Sequence, residues 1–190
     1  MKIVRLPMLV PGSDAVLAGR LTGQRAFVAA LEQFPELAEP SLVLLDFSGV
    51  DLATSSYLSE VLGPLRDHLR LRRPPGYAVA ANLADSVREE IEEMLGRSGD
   101  ALLTCAIDAD GGISDIRLCG HLDDKLLETL KLVSLRRETT AAKLYEEFRA
   151  TDTVGATAWN NRLASLAGKS LVVEILKGRT KTYRPVLEVA

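Results

Sequence analysis

Residues 42–63, LVLLDFSGVDLATSSYLSEVLG, contain an apolar run, a short polar turn and an amphipathic segment in direct succession. The apolar run ends at Asp46, and a continuous run of this kind is typical of a central strand that is buried on both faces. The segment that follows predicts a helix with Ser55 and Ser56 at its start. Its apolar residues recur at helical spacing and form one stripe: Leu58, Val61, Leu62, Leu65 and Leu69.

Strand-like and helix-like segments alternate on both sides of this stretch. The first strand is expected to lie at an edge and to end at Pro11-Gly12. The resulting order, β-α-β-α-β-α, predicts a layered α/β unit. The flanking segments are KIVRLPMLV (2–10), LTGQRAFVAALEQF (21–34), GYAVAAN (76–82) and DSVREEIEEMLG (85–96).

Residues 101–120, ALLTCAIDADGGISDIRLCG, predict a β-hairpin with its turn at 108–112. The hairpin is expected either to complete the first sheet or to form an interface between two units. It carries the two cysteines, Cys105 and Cys119, which are expected to be buried reduced thiols, with a disulfide across adjacent strands as the alternative. The turn lacks the later ligands of a calcium-binding loop, so we expect no calcium site.

From residue 121 onward the pattern changes to three helices followed by a hairpin. The third helix, residues 156–170, is expected to be capped by Thr153. Trp159, Leu163 and Leu166 recur in it at i, i+4 and i+7, which predicts that they are buried. Three helices and a hairpin in this order are typical of a winged helix-turn-helix.

Composition and charge favour two units with different partners. The 190 residues are 47% apolar, which suits one medium or two small domains. The net charge of −3 argues against a general nucleic-acid or membrane binder. However, residues 1–120 carry a net −6 and residues 121–190 a net +3. The amino terminus lacks a long apolar run, so we expect no signal peptide or membrane span and a cytoplasmic protein.

The sequence predicts neither catalysis nor a bound metal or cofactor. A serine nucleophile requires a base and an orienting group, and His68 and His121 follow different elements. There is no Gly-x-Ser-x-Gly elbow, no Gly-x-Gly-x-x-Gly motif and no Walker A loop. Asp46 and Asp51 could pair as carboxylates, but DFSGVD is better explained as a strand end and a turn. The histidines and cysteines lack metal-ligand spacing.

The carboxy-terminal seventy residues carry a first resemblance. The text TAAKLYEEF, TVGATAWNNRLASLAGKSLVVEIL and KGRTKTYRPV resembles the winged helix of bacterial transcription regulators. The resemblance implies DNA binding, in which asparagine and arginine side chains of the third helix read bases and basic side chains of the hairpin meet phosphates. Because Arg162 is the only charged residue on the outward face of that helix, the alternative is that the winged helix contacts protein alone. The expected DNA-binding residues are Thr157, Asn160, Asn161 and Arg162 on the helix and Lys177, Arg179 and Lys181 in the hairpin.

The amino-terminal hundred residues carry a second resemblance. The text LTGQRAFVAALEQF and SLVLLDFSGVDLATSSYLSEVLGPL resembles the STAS-like domain, a variant of the fold shared by sulfate transporters and anti-sigma factor antagonists. In the antagonists a partner kinase phosphorylates a serine that corresponds to Ser55. The aspartate and glycine of that family pattern are Thr54 and Tyr57 here. Two interpretations stay open: Ser55 caps the helix, or Ser55 and Ser56 form a phosphoacceptor or anion site.

Together these observations predict an α/β STAS-like domain over residues 1–120 and a winged helix-turn-helix over residues 121–190. The expected function is that of a non-enzymatic bacterial transcription regulator, whose first domain docks a partner or signal and whose second binds DNA. The alternative is an antagonist-like adaptor whose winged helix contacts protein. The expected partners are DNA, a kinase-like or anti-sigma-like protein, and a second copy of the chain as a homodimer. No membrane partner is expected.

Overall fold

The computed structural model describes residues 1–9, 14–150 and 154–188 of the chain. The chain divides into two compact units, Met1–His121 and Leu122–Ala190, which we call the amino-terminal and carboxy-terminal units. The expected strand end at Pro11-Gly12 and the expected cap Thr153 lie outside the described residues.

The amino-terminal unit is a mixed α/β structure around a mostly parallel five-stranded sheet. The sheet order is β1-β3-β5-β6-β7, in which only β7 runs antiparallel to its neighbour. The α/β class, the edge position of the first strand and the hairpin as part of the sheet are confirmed. The elements are β1 (Lys2–Pro7), β2 (Val16–Leu17), α1 (Arg20–Gln33), β3 (Ser41–Asp46), β4 (Leu52–Ala53), α2 (Ser55–Leu71), β5 (Gly76–Ala81), α3 (Asp85–Ser98), β6 (Ala101–Ile107) and β7 (Ile113–Gly120).

The core of this unit lies between the sheet and its helices. Every residue of β3 is buried, as predicted from its continuous apolar run. The predicted stripe of α2, from Leu58 to Leu69, is also buried. Helices α1 and α2 approach so closely at Gly23 that a Cβ atom there would lie 2.7 Å from the Tyr57 carbonyl oxygen. The short parallel pair of β2 and β4 was not predicted, because two residues carry no periodicity.

Both cysteines are buried free thiols, as expected. The antiparallel register pairs Cys119 with Leu102, whereas Cys105 lies at the irregularity between Thr104 and Ala106. The two thiols are therefore not cross-strand neighbours. Burial raises the pKa of each to about 11, so neither is a reactive thiolate at neutral pH.

The carboxy-terminal unit contains three helices and an antiparallel hairpin. They are α4 (Asp124–Arg136), α5 (Ala141–Phe148), α6 (Ala156–Gly168), β8 (Val172–Lys177) and β9 (Thr180–Pro185). Thr139, between α4 and α5, forms a bridge with Tyr183 of β9 through backbone hydrogen bonds of 3.0 and 2.8 Å. Trp159, Leu163 and Leu166 are each at most 2% exposed, which confirms the predicted core of α6.

Two features bear on partners and ligands. None of the helices in the described part of the chain combines the length and apolar character that crossing a membrane requires. Within residues 1–9, 14–150 and 154–188, no cluster of three or more histidine, cysteine, aspartate or glutamate side chains is arranged to hold a metal ion.

Candidate functional site

The outward face of α6 is polar, exposed and uncharged. Because Trp159, Leu163 and Leu166 turn inward, the opposite side of the helix carries Thr157 and Asn161. Both are exposed, and Asn160 is exposed beside them. No aspartate or glutamate occurs between Ala156 and Gly168. The helix therefore presents amide and hydroxyl groups without a carboxylate that would repel an anionic partner.

Arg162 lies elsewhere than the outward face on which the sequence placed it. It is half-buried, and its guanidinium carbon is 4.7 Å from the centroid of the Trp159 ring. This distance is that of a cation–π contact. Helical spacing explains the difference: three residues after Trp159, a long side chain returns to the flank of the same face. Arg162 thus covers the indole, which also packs against Phe148 with ring centroids 5.6 Å apart.

The basic side chains of the hairpin are mostly engaged in ion pairs. Glu138 accepts hydrogen bonds from Lys177, at 2.8 Å, and from Arg184, at 2.6 Å. These two hydrogen bonds lower the pKa of Glu138 more than desolvation raises it, so this pKa lies below its usual value. Lys181 pairs with Glu174 at 2.9 Å. Arg179, at the exposed turn, has no ion-pair partner among the described residues.

Positive charge is nevertheless concentrated in this part of the chain. Residues 154–188 carry six lysines and arginines against two glutamates, whereas residues 122–150 carry six of each sign. The excess accompanies α6 and the hairpin. The first two helices of the unit are electrically balanced.

The start of α2 differs from the prediction that Ser55 caps it. Thr54 is the N-cap, and its side-chain oxygen accepts a hydrogen bond from the Tyr57 N–H at 3.4 Å. Ser55 is the first helical residue. Tyr57, which replaces the glycine of the antagonist pattern, is 1% exposed and fills the core. The sequence could not separate two adjacent residues that are both good caps.

The backbone N–H of Ser55, at the start of α2, is hydrogen-bonded to a carboxylate of the protein itself. The Ser55 N–H donates a 2.7 Å hydrogen bond to Glu90 Oε2 of α3, 35 positions away in the sequence. The amino terminus of a helix favours an anion, and here the protein supplies one. A phosphate on Ser55 would add negative charge beside that carboxylate, which is a repulsive arrangement. Nothing in the sequence around either residue indicates this contact.

We expect the Thr54→Ala variant to lose about 0.5–2 kcal/mol of unfolding free energy, because it removes the cap. The Ser55→Ala variant should change stability far less, since Ser55 contributes its backbone N–H and keeps it on mutation. Urea titration followed by circular dichroism measures both. A larger loss in Ser55→Ala than in Thr54→Ala would restore Ser55 as the cap.

Asp46 is held in a closed hydrogen-bond network at the end of β3. Its carboxylate accepts from Arg5 Nε at 2.6 Å, from Ser48 Oγ at 2.7 Å and from Asn82 Nδ2 at 2.7 Å. Burial alone would raise the pKa of this carboxyl, but these hydrogen bonds outweigh burial and lower it. The carboxyl ends of parallel strands are common ligand sites. In this chain the polar side chains at the end of β3 form hydrogen bonds with one another. Asp51 is exposed and lies outside this network.

No protein-family model matches this chain, and a search of curated proteins finds no match to it.

Proposed function

We propose that the carboxy-terminal unit is a winged helix-turn-helix that binds double-stranded DNA, and that the chain is a non-enzymatic transcription regulator. The observation that carries the proposal is the outward face of α6, which presents Thr157, Asn160 and Asn161 on a helix without acidic residues. The hairpin that follows adds exposed cations. The order of helices, the hairpin and the Thr139–Tyr183 bridge agree with a winged helix.

In this proposal α6 enters the major groove, which admits one α-helix. Asn160 and Asn161 suit bidentate hydrogen bonds to adenine, and Thr157 suits a hydroxyl contact. Arg162 is a further expected contact, made at the expense of its stacking on Trp159. We assign the phosphate contacts to Arg179, which has no ion-pair partner among the described residues, and to Lys177 and Lys181. Their exposed ion pairs with glutamates are weak in water, so phosphates can replace the carboxylates.

We further propose that the amino-terminal unit is a STAS-like domain that docks a protein partner or signal. The small positive excess of the carboxy-terminal unit predicts weak DNA binding by one copy. A homodimer on two half-sites would double the contacts, so we expect the active form to be a dimer.

The test is fluorescence anisotropy with duplexes selected from a random pool, over a range of salt concentrations. Asn161→Ala should cost about 1–3 kcal/mol on the preferred site and relax its sequence preference. Arg179→Ala should weaken all duplexes alike and reduce the slope of log affinity against log salt by about one. Lys131→Ala is the matched control, because it removes one exposed positive charge from α4 and should change neither quantity.

The second candidate function is a protein adaptor, and one observation favours it: glutamates pair with three of the four hairpin cations. An adaptor would retain these pairs. If the folded dimeric protein binds no duplex at low salt, the DNA proposal fails and the adaptor is the better interpretation. If it binds with a steep salt dependence that Arg179→Ala reduces, the adaptor fails.

A further inference from the structure

A cavity of about 460 Å³ lies within the amino-terminal unit, between α2 and α3. Its floor consists of Leu45, Ala78 and Leu102, which come from three adjacent strands of the sheet. Small-molecule sites typically measure about 300–1,000 Å³ and have apolar walls with a few polar groups. The size and the apolar floor therefore fit a small organic ligand.

Small residues on α2 keep this space open. Ser59 and Gly63 line the cavity four residues apart, where large residues would pack against α3. A Cβ atom on Gly63 would meet nothing within 4 Å. Glycine in a helix interior destabilises the helix relative to alanine. Pro64 follows inside α2 and disfavours a Cβ atom on the residue before it, so glycine at 63 both tolerates the proline and leaves the space beside the helix unfilled.

The charges that line the cavity are mainly positive. Arg20, Arg66 and Arg97 stand against a single carboxylate, Asp100, which pairs with Arg66. Arg97 pairs with Glu93, whereas the guanidinium of Arg20 has no partner among the described residues. The hydroxyl-bearing residues Ser55 and Ser56 line the cavity as well. Because arginines outnumber carboxylates in the lining, the cavity favours a ligand with an anionic group.

We propose that the cavity binds a small organic acid, with an aliphatic or aromatic body on the apolar floor and its carboxylate held by Arg20. Glu90 occupies the Ser55 N–H at the start of α2. The positive charge for the ligand therefore comes from the guanidinium of Arg20, which has no partner among the described residues. The site lies wholly within the amino-terminal unit, so the inference stands independently of DNA binding.

Isothermal titration calorimetry on the full chain tests this, with decanoate as the probe and decyltrimethylammonium as the probe of opposite charge. Decanoate should bind at least about tenfold more tightly than the cation. Arg20→Gln should weaken decanoate binding and leave that of the cation unchanged. Gly63→Leu should abolish decanoate binding by filling the cavity.

Gly96→Leu is the matched control, since Gly96 also lies inside a helix with open space around its Cβ position but outside the cavity. It should bind decanoate like the original chain. Circular dichroism verifies folding, and Ser59→Leu replaces Gly63→Leu if the latter unfolds. The inference is overturned if folded protein gives no heat with decanoate, if both amphiphiles bind equally, or if the folded cavity-filling variant keeps its decanoate affinity.

Discussion

Replacing Trp159 by alanine should lower the free energy of unfolding of the carboxy-terminal unit by about 3–5 kcal/mol, the range of large-to-small core substitutions. Trp159 is 2% exposed and is among the largest fully buried side chains in the described part of the chain. Its removal leaves a cavity between α5 and α6, and it also ends the contacts with Phe148 and Arg162. Thermal and urea unfolding followed by circular dichroism measure the loss.

Trp159→Phe is the control for this prediction. The indole Nε1 is buried without a hydrogen-bond partner among the described residues, so the phenylalanine variant forfeits no hydrogen bond. It retains an aromatic ring for Phe148 and Arg162, and we expect a smaller loss than in Trp159→Ala. Unchanged stability in Trp159→Ala would contradict the core position and favour an exposed indole that stacks on nucleic acid.

Two glycines in helices of the amino-terminal unit should respond to alanine with opposite signs. In Gly23→Ala the new Cβ would lie 2.7 Å from the Tyr57 carbonyl oxygen and 2.9 Å from Glu60 Cβ. Since a helix backbone cannot yield locally, α1 and α2 must separate, and overpacking of this kind costs about 1–3 kcal/mol. In Gly96→Ala the new methyl group meets open space, and the next residue, Arg97, is not a proline. The gain in helix propensity should then stabilise the protein by about 0.5–1 kcal/mol.

Differential scanning calorimetry of the two variants, with the original chain as reference, measures both signs in one series. Stabilisation by Gly23→Ala would show that the two helices are further apart than described. Destabilisation by Gly96→Ala would show that the space around position 96 is filled.

The elements of the central sheet could be predicted from the sequence because their signals are local. The buried segment of β3 is a continuous apolar run, and the stripe of α2 is a repeat of three to four residues. Both signals involve only residues that are close together along the chain. The same periodicity identified the buried face of α6. The Asp-Gly turn between β6 and β7 is local as well, and it predicted the hairpin that completes the sheet.

The contacts between distant segments follow from tertiary packing and could not be predicted from the sequence. Glu90 reaches the start of α2 from 35 positions away, and Asn82 reaches Asp46 from 36. The pairing of Glu138 with Lys177 spans 39 positions. No periodic pattern encodes such pairs, because they depend on how elements pack rather than on local spacing.

The candidate sites likewise combine features that local sequence patterns predict with features that depend on tertiary packing. The order of polar and apolar residues in α6 was enough to predict which of its faces is buried. The packing around Trp159 decided that Arg162 covers the indole, since a long flexible side chain follows its most favourable neighbour. The cavity between α2 and α3 likewise appears only once the helices lie on the sheet, because empty space has no sequence pattern of its own.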